Sequence, residues 1–235
     1  MRPALFCQPP GHEGADCFTR GFTEGGGQVI GSVKIPLANP DFVPFMQRIK
    51  DAKPDVLYAF NPAGKQATAM MKAYGDLDLP KAGIKYIGTG DIVTDEELQG
   101  MGDIALGVTT VHHYSANSDR PANKAFVAAY KKEYGEALWP GFMVVGAWDA
   151  MDAIFYAIRE QNGKVNADKT MELLKKWKNP NSPRGLVMLD PETRDVLNPE
   201  YLREVRKVDG HLANVEIETI STGIKDPLKE FDKKK

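Results

Sequence analysis

Three short stretches of this 235-residue chain carry side chains whose types and spacing could do chemistry. The first, DVLYAFNPAGKQATAMM (55–71), runs from an apolar segment through Asn61-Pro62-Ala63-Gly64 into helix-forming residues. Such a junction can offer an aromatic face (Phe60), an amide (Asn61) and the free N–H groups of a helix start, where the helix dipole favours an anion. Read for geometry alone, the same loop is a turn in which Pro62 fixes φ and Gly64 relieves the bend. It is not a nucleotide phosphate loop. The first glycine of G-x-x-x-x-G-K-[ST] is absent and Gln66 follows Lys65. The second stretch, Gly88-Thr89-Gly90-Asp91, ends the next apolar run with a hydroxyl and a carboxylate. Asp91 can pair with a charged ligand or cap the short helix that follows. The third, His112-His113-Tyr114, raises the question of a metal. Adjacent histidines on a strand point to opposite faces, and no Cys or carboxylate joins them at ligand spacing, so a structural role is expected.

Other catalytic patterns are missing. The chain holds no G-x-S-x-G and no H-E-x-x-H, since Asp16 stands where the second histidine would fall after His12-Glu13. No paired carboxylates can be assigned from spacing. These absences point away from an enzyme and imply no cofactor.

Thirty basic against 32 acidic residues leave a formal charge of -2, which gives no general attraction to nucleic acid or to an anionic membrane. No apolar run is long enough to cross a bilayer, and Met1–Phe6 does not read as a secretory leader. Cys7 and Cys17 allow one disulfide at most and no C-x-x-C; two free thiols are expected.

The elements that must position these residues alternate. Residues 13–24 predict a helix stopped by Gly25-Gly26-Gly27, 28–37 a strand, and Asn39-Pro40-Asp41 the start of a helix with Phe42, Phe45, Met46 and Ile49 on its inner stripe. Strand 55–60, helix 64–75, strand 84–87 and strand 106–111 follow. Thr94 and Glu97 are spaced as a capping box. Residues 121–134 predict a helix with Phe126, Ala129 and Tyr130 inward, 142–160 a longer apolar helix, and 167–177 an amphipathic one. Beyond Arg184 the runs alternate like strands, and Asp209-Gly210 signals a hairpin between 201–208 and 212–220. Successive β-α units mean a mostly parallel sheet covered on both faces. MRPALFCQPP, with its two adjacent prolines, predicts a poor first strand.

The phrase NPDFVPFMQRIKDAKPDVLYAFNPAGKQATAMMKAYGDLDL (39–79), with YIGTG at 86–90, resembles the second lobe of the type I periplasmic binding proteins. More narrowly, it resembles the substrate-binding components of branched-chain amino acid ABC transporters. The resemblance runs from about Gly11 to Ile220 and covers the latter part of the family's usual length. It implies an α/β fold: a Rossmann-like lobe with a parallel sheet, plus a C-terminal segment belonging to the other lobe. Residues 1–138 would be the second ligand-binding lobe, with an incomplete first strand, and 139–235 the return segment to the first. Helix 142–161 would then pack on a first lobe absent from this chain, or expose an apolar surface suited to a homodimer.

The same resemblance implies a site. Phe60, Asn61, Pro62 and Ala63 fall where the family lines its cleft, as do Gly88, Thr89, Gly90 and Asp91. The family's ammonium-binding carboxylate matches Gly90, with Asp91 one residue later, which leans toward an aromatic or aliphatic carboxylate lacking an ammonium group. Gln8 matches the family's tyrosine in a D-Y-G-x-G setting. The implied role is non-catalytic capture of an amino acid or related small organic acid in the periplasm, by lobe closure, for an ABC permease. A ligand-sensing regulatory module of the same fold and an inactive fragment are the alternatives.

Overall fold

The computed structural model describes residues 2–6, 9–36 and 38–223, with side chains from Gly11 onward. Contacts divide the chain into two compact units. One runs from the start of the chain to Val111 and takes in Arg203–Asn214; the other is His112–Leu202 with the stretch from Val215 onward. The chain thus passes between units near residues 111, 202 and 214, where the sequence predicts one boundary at 138.

In the first unit, Arg2–Phe6 forms β1 despite the prolines. It lies between Val33–Ile35 (β2) and Val56–Phe60 (β3), parallel to both. The adjacent prolines fall outside it, because Pro9 and Pro10 open helix α1, Pro9–Glu24. First-turn N–H groups have no partner within a helix, so proline loses little there. The expectation of an incomplete first strand is corrected on this ground. The predicted strand 28–37 shortens to the three residues of β2. Helix α2 (Val43–Ala52) buries Met46 and Ile49, and Asp41 Oδ1 accepts the Val43 N–H at 3.0 Å. Helix α3 (Lys65–Asp76), strand β4 (Lys85–Thr89), the one-turn helix α4 (Leu98–Met101) and strand β5 (Thr109–His112) complete the β-α series.

The sheet continues into the hairpin of β9 (Glu200–Val208) and β10 (His211–Ser221), in the order β10-β9-β5-β4-β3-β1-β2. Asp209 (φ 48°) and Gly210 (φ 82°) both take the positive φ that a tight two-residue hairpin turn requires. Where β9 meets β5, the Gly107 N–H donates to Val205 O and the Val205 N–H to Val108 O, each at 3.0 Å. Two residues against one make a bulge, with Gly107 at φ 78°. Alternation along β3 splits its side chains. Leu57 and Ala59 enter the core under α2 and α3, while Val56, Tyr58 and Phe60 meet Ala15, Phe18 and Phe22 of α1.

In the second unit, helix α5 (Pro121–Tyr134) buries Asn123 and Phe126 but leaves Ala129 exposed. Helix α6 (Phe142–Arg159) buries Val145, Asp149, Ala153 and Ala157, every fourth residue. Helix α7 spans Ala167–Leu174, with Asn166 Oδ1 accepting the Lys169 N–H at 3.0 Å as its cap. It stops short of Trp177, whose indole N–H donates to Asp152 Oδ2 at 3.0 Å. Strands β6 (Lys178–Ser182), β7 (Gly185–Leu189) and β8 (Val196–Leu197) form a separate antiparallel sheet. The two histidines do not diverge, because β5 ends at His112. Their rings stack at 4.3 Å, and Phe142 meets the His112 ring edge-on at 4.9 Å.

Candidate functional site

The C-terminal ends of β3 and β4, in the first unit, carry the candidate site. Gly64 takes φ 95°, so the chain turns sharply from Asn61-Pro62-Ala63 into α3. No side chain caps α3 and no acid stands in its first turn. The Asn61 side chain is fully buried; its Nδ2 donates to Pro62 O at 3.1 Å, and its Oδ1 has no partner among the described residues. A buried carboxamide oxygen without a donor costs free energy that structure seldom wastes. Pro62 and Ala63 are half-buried beside it. Phe60 is also half-buried, and its side chain packs with the α1 cluster rather than standing free.

Gly88 is a glycine by necessity. A Cβ there would come 2.2 Å from Ala59 O and 2.9 Å from Ile92 Cδ1. Its closeness to β3 lets the chain turn at once into the 3-10 segment Gly90–Val93, in which Gly90 is buried and Asp91 half-buried. Burial raises the Asp91 pKa above the usual carboxylate range; the Thr89 hydroxyl, its own N–H and the charge of Arg203 oppose that rise. Tyr58 lies nearby, its ring stacked on Phe18 at 4.1 Å and 10°. Burial, then the charges of Cys17 and Asp91, push the Tyr58 hydroxyl up to about 12. Gly14 lets α1 approach, since a Cβ there would lie 3.2 Å from the Tyr58 oxygen. Cys17 is a free, exposed thiol.

The structure therefore brings Phe60–Ala63 and Gly88–Asp91 to neighbouring strand ends of one sheet. Gln8 lies outside the described residues. Three groups escape the sequence reading. Arg203 is 1% exposed, with Nε 3.3 Å and Nη2 3.1 Å from Thr110 Oγ1. Asn214 donates to Val93 O at 2.9 Å and Asp95 Oδ1 at 3.1 Å, so β10 pins the segment that bears Asp91. Tyr58 was detectable, because alternation in VLYAF puts it on the same face as Phe60. Thr94 and Glu97 do not form a capping box; Thr68 donates to Glu97 Oε2 at 3.3 Å instead. Among the described residues, no three His, Cys, Asp or Glu side chains gather as a metal site would require.

A parallel sheet with polar groups gathered at its strand ends is the frame of a small-molecule-binding lobe. Residues 8–210 match the family model described as periplasmic binding protein, and the chain belongs to that family, in its type I, leucine-binding-protein-like branch. It is 40% identical over 213 residues to the Leu/Ile/Val-binding protein homolog 6 of Brucella melitensis biotype 1, covering 89% of this chain and 54% of that one. Among solved structures it is similar to a solute-binding protein of an ABC transporter from Rhodopseudomonas palustris BisB5, in complex with 3,4-dihydroxybenzoic acid. The TM-score is 0.92 at 46% identity, over 97% of this chain and 61% of that one. A second, from R. palustris HaA2 in complex with p-hydroxybenzoic acid, gives a TM-score of 0.88 at 38% identity, over 95% and 60%. The chain spans a little over half the length of these relatives.

Proposed function

We propose that this chain is the solute-binding part of an ABC importer, acting in the periplasm without catalysis, and that its ligand is an aromatic carboxylate of the hydroxybenzoate type. The unit that ends at Val111 and takes in Arg203–Asn214 then belongs to the second ligand lobe, the unit of His112–Leu202 to the return to the first, and an ABC permease receives the ligand.

One observation carries the choice of ligand. An amino acid's ammonium group asks for an ionised, accessible carboxylate, but Gly90 stands where such a group is expected. The carboxylate beside it, Asp91, is half-buried, and burial favours its neutral form. An acid with no ammonium group needs nothing from that position. Phe60, Asn61 and the start of α3, which no side chain caps, supply an aromatic neighbour, an unpaired amide oxygen and the positive end of a helix dipole. The hydroxybenzoates held by the R. palustris relatives support the same class. A branched-chain amino acid is the competing ligand, on the strength of the Brucella relative's name.

Saturation-transfer NMR on the 235-residue chain separates the two, because it reads dissociation constants near 1 mM, about -4 kcal/mol. Transfer to the ring protons of 4-hydroxybenzoate and 3,4-dihydroxybenzoate, with none to leucine, is the expected result. Preferential transfer to leucine, or transfer to neither, overturns the proposal.

A further inference from the structure

We propose, on the reading of Gly88–Asp91 as a ligand loop, that Arg203 and Asn214 are its positioning residues and fix it to the strands by which the chain leaves the first unit. The chain crosses the boundary of that unit after Val111, before Arg203 and after Asn214. A buried polar side chain stands just inside each crossing: Thr110 is 2% exposed, Arg203 1% and Asn214 0%. Buried polar groups are costly unless they are bonded, so three of them at three crossings call for a reason.

Their bonds converge on the loop from both sides. Before it, Thr110 is paired with Gly88 in the parallel ladder of β4 and β5. Arg203 donates twice to the Thr110 hydroxyl oxygen. Burial raises the Asp91 pKa and the Arg203 charge works against it, so the guanidinium acts on the carboxylate of the loop as well. After the loop, the Asn214 amide bonds Val93 O and Asp95 Oδ1. Two residues earlier on β10, Leu212 is bracketed by one side chain of α4. Its N–H donates to Gln99 Oε1 at 3.1 Å, and its O accepts from Gln99 Nε2 at 2.6 Å.

These bonds do what packing alone does not. Ile92, Val93 and Leu98 are buried in the core. That burial holds the segment down without setting its register, because apolar attraction has no direction. Hydrogen bonds weaken steeply with distance and angle, so they do set it. A segment displaced by one residue would leave the Asn214 amide and the Arg203 guanidinium without these partners in the interior. The site therefore depends on strands from the far end of the chain. A ligand that moves the loop also moves Arg203 and Asn214, and with them the crossings.

Titration of the 235-residue chain with 4-hydroxybenzoate, followed by NMR of the backbone amides, tests this. In the wild type the amides of Gly88–Asp91 are expected to shift by contact. Those of Leu202 and Val215, next across two of the crossings, should shift with them. Asn214→Ala and Thr110→Val should each raise the dissociation constant by about 10-fold, the worth of one buried hydrogen bond. Asn214→Ala should also silence Val215, and Thr110→Val should silence Leu202. Thr110→Ser keeps the acceptor oxygen and should restore most of the affinity. The dissociation constant refers to folded chains, so a loss of stability that leaves the chain folded does not move it. Asn123→Ala, at an equally buried asparagine of the second unit, is therefore expected to unfold more easily and to bind as wild type does. Far-UV circular dichroism checks that each variant folds, and the wild-type shifts need no substitution. Unchanged affinity in folded Asn214→Ala and Thr110→Val overturns the proposal. So does equal weakening by Asn123→Ala, and so do still amides at Leu202 and Val215 while Gly88–Asp91 shift. Wild-type amides at Gly88–Asp91 that do not shift overturn the ligand reading, and the positioning role falls with it.

Discussion

Arg184 Nε donates to Asp149 Oδ2 at 2.7 Å, with side chains only 6% and 3% exposed, and so joins the loop before β7 to the inner face of α6. Arg184 Nη1 reaches Asn198 Oδ1 at 3.1 Å, and the Tyr201 hydroxyl donates to Arg184 O at 2.8 Å. Burial raises the Asp149 pKa, and the Arg184 charge is the main force opposing it. Removing one partner strands the other charge in the interior, which costs about 3–5 kcal/mol; removing both costs much less. Arg184→Met is therefore expected to destabilise the second unit by about that amount, and Asp149→Asn with Arg184→Met to recover most of it. Urea unfolding followed by tryptophan fluorescence reads this, because Trp139, Trp148 and Trp177 all lie in the second unit. Equal losses in the single and double variants would show that the ion pair is not what matters there.

Two glycines of the candidate site should respond differently to alanine. At Gly88 the new Cβ meets backbone, Ala59 O at 2.2 Å, which cannot rotate away. Gly88→Ala is expected to cost about 3 kcal/mol and to loosen the pairing of β3 with β4. At Gly64 the space is open and the penalty is conformational, from φ 95°; Gly64→Ala should cost about 1 kcal/mol. Amide exchange in Val56–Phe60 and Lys85–Thr89 measures both. A larger effect at Gly64 than at Gly88 contradicts the steric account.

Asp91 gives a pH dependence whose sign follows from its burial. Its folded pKa is raised, so the folded chain holds the proton in a pH range where the unfolded chain has released it. Stability then falls as pH rises from the ordinary carboxylate pKa through the folded one, and the penalty persists at neutral pH. Asn cannot ionise and escapes it. Asp91→Asn is expected to unfold at a higher temperature than wild type at pH 7, with the difference closing as the pH drops below both pKa values. Calorimetric scans of the two proteins across that range provide the check, and a difference that widens in acid means the carboxylate is needed in its charged form.

What the sequence made legible was local. The strand-loop-helix of 55–71, the hairpin at Asp209-Gly210 and the long apolar helix from Phe142 depend on near neighbours: a period of two or 3.6, a turn dipeptide, a glycine. The opposite facing expected of the two histidines failed because one residue decided it, the end of β5 at His112, and strand ends are poorly marked. Partners far apart in sequence left no trace. Arg203 meets Thr110 across 93 residues, and Asn214 meets Val93 across 121. Arg203 looks like any exposed strand arginine in YLREVRKV until its neighbours bury it. The candidate site divides the same way: its loops were visible as loops, whereas the setting of Asp91 comes from a hairpin more than a hundred residues away.

Two fully buried asparagines hold very different shares of the backbone around them. Asn123 Nδ2 lies 3.0 Å from Ala116 O, 3.0 Å from Ser118 O and 3.4 Å from Ser115 O, gathering the turn before α5. Asn61 makes one contact to its own neighbour, Pro62 O; its Oδ1 is unpaired among the described residues, as is Asn123 Oδ1, so the two differ in what their amide nitrogens hold. Removing Asn123 orphans several buried carbonyls, so Asn123→Ala is expected to cost about 2–3 kcal/mol. Removing Asn61 also removes a polar atom that the fold had not satisfied, so Asn61→Ala should change stability by less than about 1 kcal/mol. If that oxygen is kept unpaired to accept a ligand hydroxyl or acid proton, Asn61→Ala should weaken 4-hydroxybenzoate binding by about 10-fold, the worth of one buried hydrogen bond. Denaturant midpoints and ligand titrations on both variants test the pair. A strongly destabilised Asn61→Ala with unchanged ligand affinity would make this amide part of the scaffold.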